Sequence, residues 1–161
     1  MKKLFLILCF LHFSLYAKEG YRPPVLTTSA IVEVYEGDQF LGIVLIERGK
    51  APFGKALPGG KVEYGETTET AVRREMMEEI NLELDALRQF HVYSDPQRDP
   101  RHHSVEVTYL AKAYTAPRAG DDAAEAFLVP LDQIPWDEMA FDHGQILQDY
   151  INCRNTLIVM P

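Results

Sequence analysis

Two cysteines, Cys9 and Cys153, in 161 residues are too few for a disulfide scaffold or a cysteine-based zinc site. Excess positive charge is missing as well: 16 Lys+Arg stand against 24 Asp+Glu, for a formal net charge of −8. Nucleic acid and anionic membrane surfaces repel such a chain, so bulk electrostatic binding to either is not expected. No apolar run reaches the ~20 residues that span a bilayer, and there is no internal repeat or low-complexity segment. What remains is 47% apolar and 25% charged, globular values, in a length that makes one domain with a real core.

The first seventeen residues stand apart. Met1-Lys2-Lys3 is a basic start, Leu4 to Phe13 is apolar, and the small residue Ala17 precedes the polar Lys18-Glu19-Gly20. That order predicts a secretory signal peptide over 1–17 and a domain over 18–161, hence a periplasmic or secreted protein; a retained extension on a cytoplasmic protein is the alternative. Leu15 occupies the −3 position, where a small residue is preferred. Cleavage would remove Lys2 and Lys3 and take the formal charge from −8 to −10.

The rest alternates strand and helix signals. Val25–Tyr35 and Phe40–Glu47 read as a hairpin about Glu36-Gly37-Asp38. Residues 48–66 hold five of the glycines and two prolines and read as a loop without regular structure. Thr67–Ile80 lacks glycine and proline and is rich in good helix formers. Leu82–Tyr93, Val105–Ala113 and Phe127–Leu131 read as strands. Asp142–Asn155 reads as a closing helix, with Asp142 and Gln145 spaced as a capping box. Mixed strands with two helices predict an α+β fold, an α/β/α sandwich on a mixed sheet.

On a wheel of 100° per residue, Glu75, Glu78 and Glu79 share one face of the Thr67–Ile80 helix, beside an apolar stripe of Val72, Met76 and Ile80. Carboxylates at this spacing repel one another, each pair by about 0.2–0.5 kcal/mol. A hard divalent cation such as Mg2+ relieves that repulsion and prefers oxygen ligands. Taken alone, the run reads better as a solvated acidic face than as a metal site.

Its surroundings decide between the two. Gly60, then Glu66 after five residues, then Arg74-Glu75-Met76-Met77-Glu78-Glu79-Ile80-Asn81-Leu82 after seven more, resembles the Nudix box G-x5-E-x7-R-E-U-x-E-E-x-G-U. Asn81 stands where the family has glycine; that glycine closes the helix in a left-handed conformation, and asparagine is the next best residue there. The resemblance implies a Nudix fold and hydrolysis of a nucleoside diphosphate linked to another moiety, with Mg2+ or Mn2+ as cofactor. It implies Glu75 and Glu79 as the principal metal ligands, Glu78 sharing a metal or water, and the Gly59 carbonyl as a further ligand. Arg74 would orient the carboxylates and Glu66 would hold the loop to the helix.

Downstream segments resemble the ADP-ribose pyrophosphatase branch, including Pro96 fifteen residues past Asn81. Arg98, Asp99 and Arg101 are the candidate substrate-binding residues, the two arginines offering forks for phosphate or ribose oxygens. The alternative for those arginines is an ion-pair cluster with Asp95 and Asp99. Glu125, on an acidic loop expected to be mobile, is the candidate for an extra carboxylate that completes the metal site or acts as general base, with Asp121 and Asp122 as competitors. His102, His103 and His143 lack zinc spacing. Trp136, Phe141 and Tyr150 fit core packing better than adenine stacking.

The expected reaction is hydrolysis of ADP-ribose, or a related nucleoside diphosphate derivative, to AMP and ribose 5-phosphate. Attack on modified nucleoside triphosphates is a second reading. A silent ADP-ribose sensor is a third, although such regulators append a DNA-binding winged helix and this chain is acidic and keeps its box carboxylates. Enzymes of the branch often pair, which makes a homodimer the oligomer to look for.

Overall fold

The computed structural model describes residues 22–119 and 125–159, with side chains through 156. The leader expected over 1–17, together with Asp121 and Asp122, lies outside the described residues. Among the described residues no helix is long and apolar enough to cross a membrane.

Strand β1 (Val25–Glu36) and strand β2 (Gln39–Glu47) form the expected antiparallel hairpin, turning at Gly37 with φ +58°. The segment read as plain loop carries two short strands, β3 (Lys55–Ala56) on β2 and β4 (Gly59–Lys61) on β1. Helix α1 (Thr68–Ile80) follows, with the Thr67 hydroxyl capping the Thr70 amide. Then come β5 (Asp85–Tyr93), β6 (Ser104–Ala113), β7 (Glu125–Val129), two single 3-10 turns, and helix α2 (His143–Val159). The sheet order is β3-β2-β1-β6-β5, with β4 added to β1 and β7 to β2. The β1–β6 contact is parallel and the other named pairings are antiparallel, so the sheet is mixed as expected.

The two central strands are apolar on both faces because a helix covers each side. Ala30, Val32 and Val34 of β1, with Val44 and Ile46 of β2, pack against Val72, Met76 and Ile80 of α1. Alternate residues Ile31, Ile43 and Leu45 pack against Ile146, Leu147 and Tyr150 of α2. The apolar stripe beside the three glutamates is fully buried.

Element ends differ from the sequence reading for local reasons. Asn81 closes α1 at φ 51°, ψ 42°, its amide donating to Met76 O, and Leu82 and Leu84 then drop into the core. Strand β5 therefore begins only at Asp85. Strand β7 starts two residues earlier than expected and stops at Val129, since Pro130 has no amide to give the ladder. The capping box at α2 does not form: the Asp142 carboxylate is taken by Arg98, and Gln145 donates to Asp149.

Candidate active site

A cleft of about 480 Å3 opens where β1, β4, α1 and the 94–103 loop meet. Its carboxylate wall is Glu75 and Glu79, one turn apart on α1. Glu79 is 9% exposed, and its Oε2 accepts the Gly59 amide at 2.8 Å. Gly59 itself runs at φ +156°, and a Cβ there would sit 2.2 Å from Thr28 O. A Cβ on Gly60 would fall 2.3–2.5 Å from the Glu75 carboxyl group. Gly60 is required because α1 lays the Glu75 carboxylate directly on the β4 backbone, and Gly59 because β1 runs too close to β4 there for a side chain.

Arg74 organises this wall from behind. Nε and Nη2 donate to the two Glu66 oxygens at 2.8 and 3.0 Å, Nη2 also to Lys61 O, and Nη1 to Glu75 Oε1 at 2.9 Å and Glu78 Oε2 at 3.0 Å. All the N–H groups of the guanidinium are committed, a pattern a lysine cannot reproduce. Glu66 in turn accepts the Glu63 amide, and these bonds with Arg74 hold its pKa down at about 2. Loop and helix are thus joined through one ion-pair cluster.

The structure brings Gly59, Glu75, Glu79, Arg98, Asp99 and Arg101 to the cleft; Glu78 and Glu125 are not among its lining residues. Glu78 is about half exposed and turned to Arg74. Glu125 is not on a loop: it is the first residue of β7 and the ladder partner of Glu47, which does line the cleft. Arg98 departs from the expectation of an open phosphate fork. Its side chain is 3% exposed, with Nη1 on Ser104 Oγ at 3.0 Å, Nη2 on Glu106 at 2.9 Å, and Nε and Nη2 on Asp142 at 2.9 and 2.6 Å. Its ion pairs are therefore with Glu106 and Asp142, and neither Asp95 nor Asp99 pairs with its side chain. Asp99 is spent on Arg101, accepting Nε at 3.0 Å and Nη2 at 2.8 Å. Burial opposes the charge of Asp99, but Arg101 outweighs it and lowers the pKa. Arg101 keeps nearly half of its side chain in solvent.

Sequence reasoning missed Glu106 and Arg48, and did not place His143 and Phe141 in the cleft. Glu106 lies buried in the cleft floor, where Ser29, Arg98 and His143 face it. Burial pushes its pKa up, but His143, Arg98 and Ser29 outweigh burial and lower it to about 2. The Leu57 amide meets His143 Nδ1 at 2.9 Å, and His143 Nε2 lies 3.7 Å from Glu106 Oε2. Arg48, at the end of β2, points into the same cleft, as does Phe141. One signal for Glu106 was present: Ser104, Glu106 and Thr108 are polar at strand spacing inside an apolar strand, and all three are buried. Of the three aromatics expected in the core, Tyr150 is there at 2% exposure, while Trp136 is 44% exposed and Phe141 lines the cleft.

Among the described residues no three His, Cys, Asp or Glu side chains converge into a closed metal cage. The fit is instead to an open all-oxygen site. A Glu75–Glu79 pair on a glycine backbone matches how Mg2+ is held, by one or two carboxylates with substrate phosphates completing the shell.

Comparison with known proteins agrees with this geometry. The NUDIX domain family model matches residues 25–150. The ADP-ribose pyrophosphatase of Methanocaldococcus jannaschii is 43% identical over 116 residues, which cover 70% of this chain and 68% of that one. The ADPR responsive transcriptional repressor NtrR of Acinetobacter baylyi is 34% identical over 142 residues, 83% of this chain; the chain spans 55% of that repressor's length. Among solved structures, the NUDIX domain of Shewanella oneidensis NrtR, in complex with ADP ribose, matches with a TM-score of 0.76 at 25% identity, covering 91% of this chain and 97% of that one. The chain belongs to the Nudix family and is one of its pyrophosphohydrolases.

Proposed function

We propose that this hydrolase cleaves the pyrophosphate bond of ADP-ribose, or of a closely related nucleoside diphosphate derivative, with Mg2+ or Mn2+ as the cation. The products from ADP-ribose are AMP and ribose 5-phosphate. The observation that carries the reading is one cleft in which Glu75 and Glu79 stand together with the guanidiniums of Arg48 and Arg101. Carboxylates there can hold a cation and arginines can take phosphate oxygens, so an acidic protein accepts an anionic substrate. The M. jannaschii relative directs the choice of substrate to ADP-ribose.

Glu75, Glu79 and the Gly59 peptide are the proposed ligands, with Glu78 sharing the ion or its water. When bound, the cation neutralises pyrophosphate oxygens and lowers the pKa of a water molecule. Arg74 holds Glu75 and Glu78 in place through its Nη1 bonds. Glu125 is the proposed general base, entering beside Glu47 at the cleft edge. Arg101 binds phosphate with its exposed fork, while Asp99 and Arg98 set the loop that presents it.

A panel of ADP-ribose, other nucleotide sugars, dinucleoside polyphosphates and nucleoside triphosphates, assayed with Mg2+ and with chelator, tests the proposal. ADP-ribose is expected to lead, and chelator to abolish turnover. A preference for triphosphates, or tight ADP-ribose binding without cleavage, overturns it. We also propose export through residues 1–17; an intact Met1 on the mature soluble protein would place it in the cytoplasm instead.

A further inference from the structure

Arg48, Arg101 and Phe141 come from three separate segments and meet in the cleft. The guanidinium carbon of Arg48 lies 4.5 Å from the Phe141 ring centroid, and that of Arg101 lies 5.0 Å from the same centroid. One aromatic ring thus gathers two like charges. Each guanidinium is also tethered elsewhere: Arg48 Nε donates to Pro52 O at 2.6 Å, and Arg101 grips Asp99. Asp99 hydrogen-bonds Arg101, and it acts on Arg48 together with Glu79 only through longer-range attraction. Burial and the nearby Arg101 work against the charge on Arg48 and outweigh the attraction of Glu79 and Asp99, so its pKa is lowered.

The ring is held firmly for this task. Ala140 donates its amide to Lys55 O at 2.8 Å, and His143 accepts the Leu57 amide, so the chain is fixed on both sides of Phe141. Phe141 itself adopts φ +55°, a conformation that a bulky aromatic residue avoids unless its surroundings impose it.

We propose that Phe141 is a positioning residue, holding Arg48 and Arg101 side by side as a paired cationic contact for the diphosphate of the substrate. The inference rests on the pyrophosphatase reading of the cleft. Two guanidiniums over one ring repel each other, and anionic oxygens shared between them relieve that repulsion. The π face attracts each cation independently and keeps the forks together when no anion is present. Arginine suits the role because its fork meets phosphate oxygens in pairs.

The test compares Phe141→Leu with Phe141→Tyr, which keeps the π face. Affinity for ADP-ribose is measured by titration calorimetry with EDTA present, and KM and kcat are measured with Mg2+. Phe141→Leu is expected to weaken binding about tenfold in EDTA and to raise KM more than it lowers kcat, while Phe141→Tyr restores both to within about twofold. An unchanged affinity, a fall in kcat at constant KM, or no uptake of ADP-ribose by the unmodified protein in EDTA overturns the proposal. If Phe141→Leu does not fold, Arg48→Met carries the test, and an unchanged affinity there is equally decisive. A KM effect that persists on another nucleoside diphosphate, when ADP-ribose itself is not cleaved, leaves the clamp standing and removes only the choice of substrate.

Discussion

Glu106→Gln isolates the charge of the buried floor carboxylate. The amide keeps the size of the side chain and its capacity to bond Ser29 and Arg98, so no cavity complicates the comparison. Glu106 titrates at about 2 instead of its ordinary 4.5, despite its burial. That gap, at about 1.4 kcal/mol per pH unit, corresponds to about 3 kcal/mol of folding stability. Loss of one partner from a buried ion pair costs a similar amount, about 3–5 kcal/mol. The sign follows from the lowered pKa. The contribution is complete above pH 4.5, declines as the unfolded chain takes up the proton first, and is gone once the pH falls through 2. Urea unfolding followed by circular dichroism at pH 7, 5, 4 and 3 reads it directly. The variant is expected to lose about 3 kcal/mol at pH 7, or about 6–12 °C in Tm for a chain of this size. By pH 3 the difference should shrink to less than half. A variant as stable as the parent at pH 7, or a gap unchanged at pH 3, would refute the argument that Arg98 and His143 hold this group ionised.

Glu79→Gln keeps an oxygen for the Gly59 amide but removes a ligand charge; turnover should drop about a hundredfold or more with the melting temperature little changed, and retained activity would remove Glu79 from the metal site. Gly60→Ala drives a methyl group into the Glu75 carboxyl, so steady-state assays should show a comparable loss that added Mg2+ only partly restores. Asn81→Ala places an ordinary side chain at φ 51°, and urea unfolding should report a loss of about 1 kcal/mol without a change in KM.

The carboxylate helix was legible because two kinds of pattern coincided on it. The helical period put Val72, Met76 and Ile80 on one stripe and the glutamates on the next, and the spacing of Gly60, Glu66 and Arg74 matched the Nudix box. The hairpin and the two-sided core followed from long apolar strands between two helices, while the strand order came only from the structure. The far wall of the cleft was less legible, because its residues owe their roles to partners distant in sequence. Arg98 looked like an open fork beside Asp95 and Asp99, yet its partners are Glu106 and Asp142, the latter 44 residues away. Phe141 had the composition of a core residue; only the backbone at +55° and the arrival of Arg48 and Arg101 give it another position. Short strands β3 and β4 were hidden because pairing across the site, and not local propensity, makes them strands.

The parallel pairing of β1 with β6 runs in register from Val25↔Ser104 to Val34↔Ala113. Everything between Gly59 and Asn81 is enclosed by that clasp, whose two sides lie about eighty residues apart in the chain. Closing so long a loop carries an entropic cost before any contact rewards it, which makes this pairing a slow step of assembly. Helix α1 needs both sides, since its apolar stripe rests on Ala30 and Val32 of β1 and on Tyr109 and Ala111 of β6. A nascent chain that has reached only the 94–103 loop carries the carboxylates but no surface on which to align them. The carboxylates therefore align only once β6 has emerged and seated beside β1, and the cleft is completed by Phe141 and His143 later still in the chain.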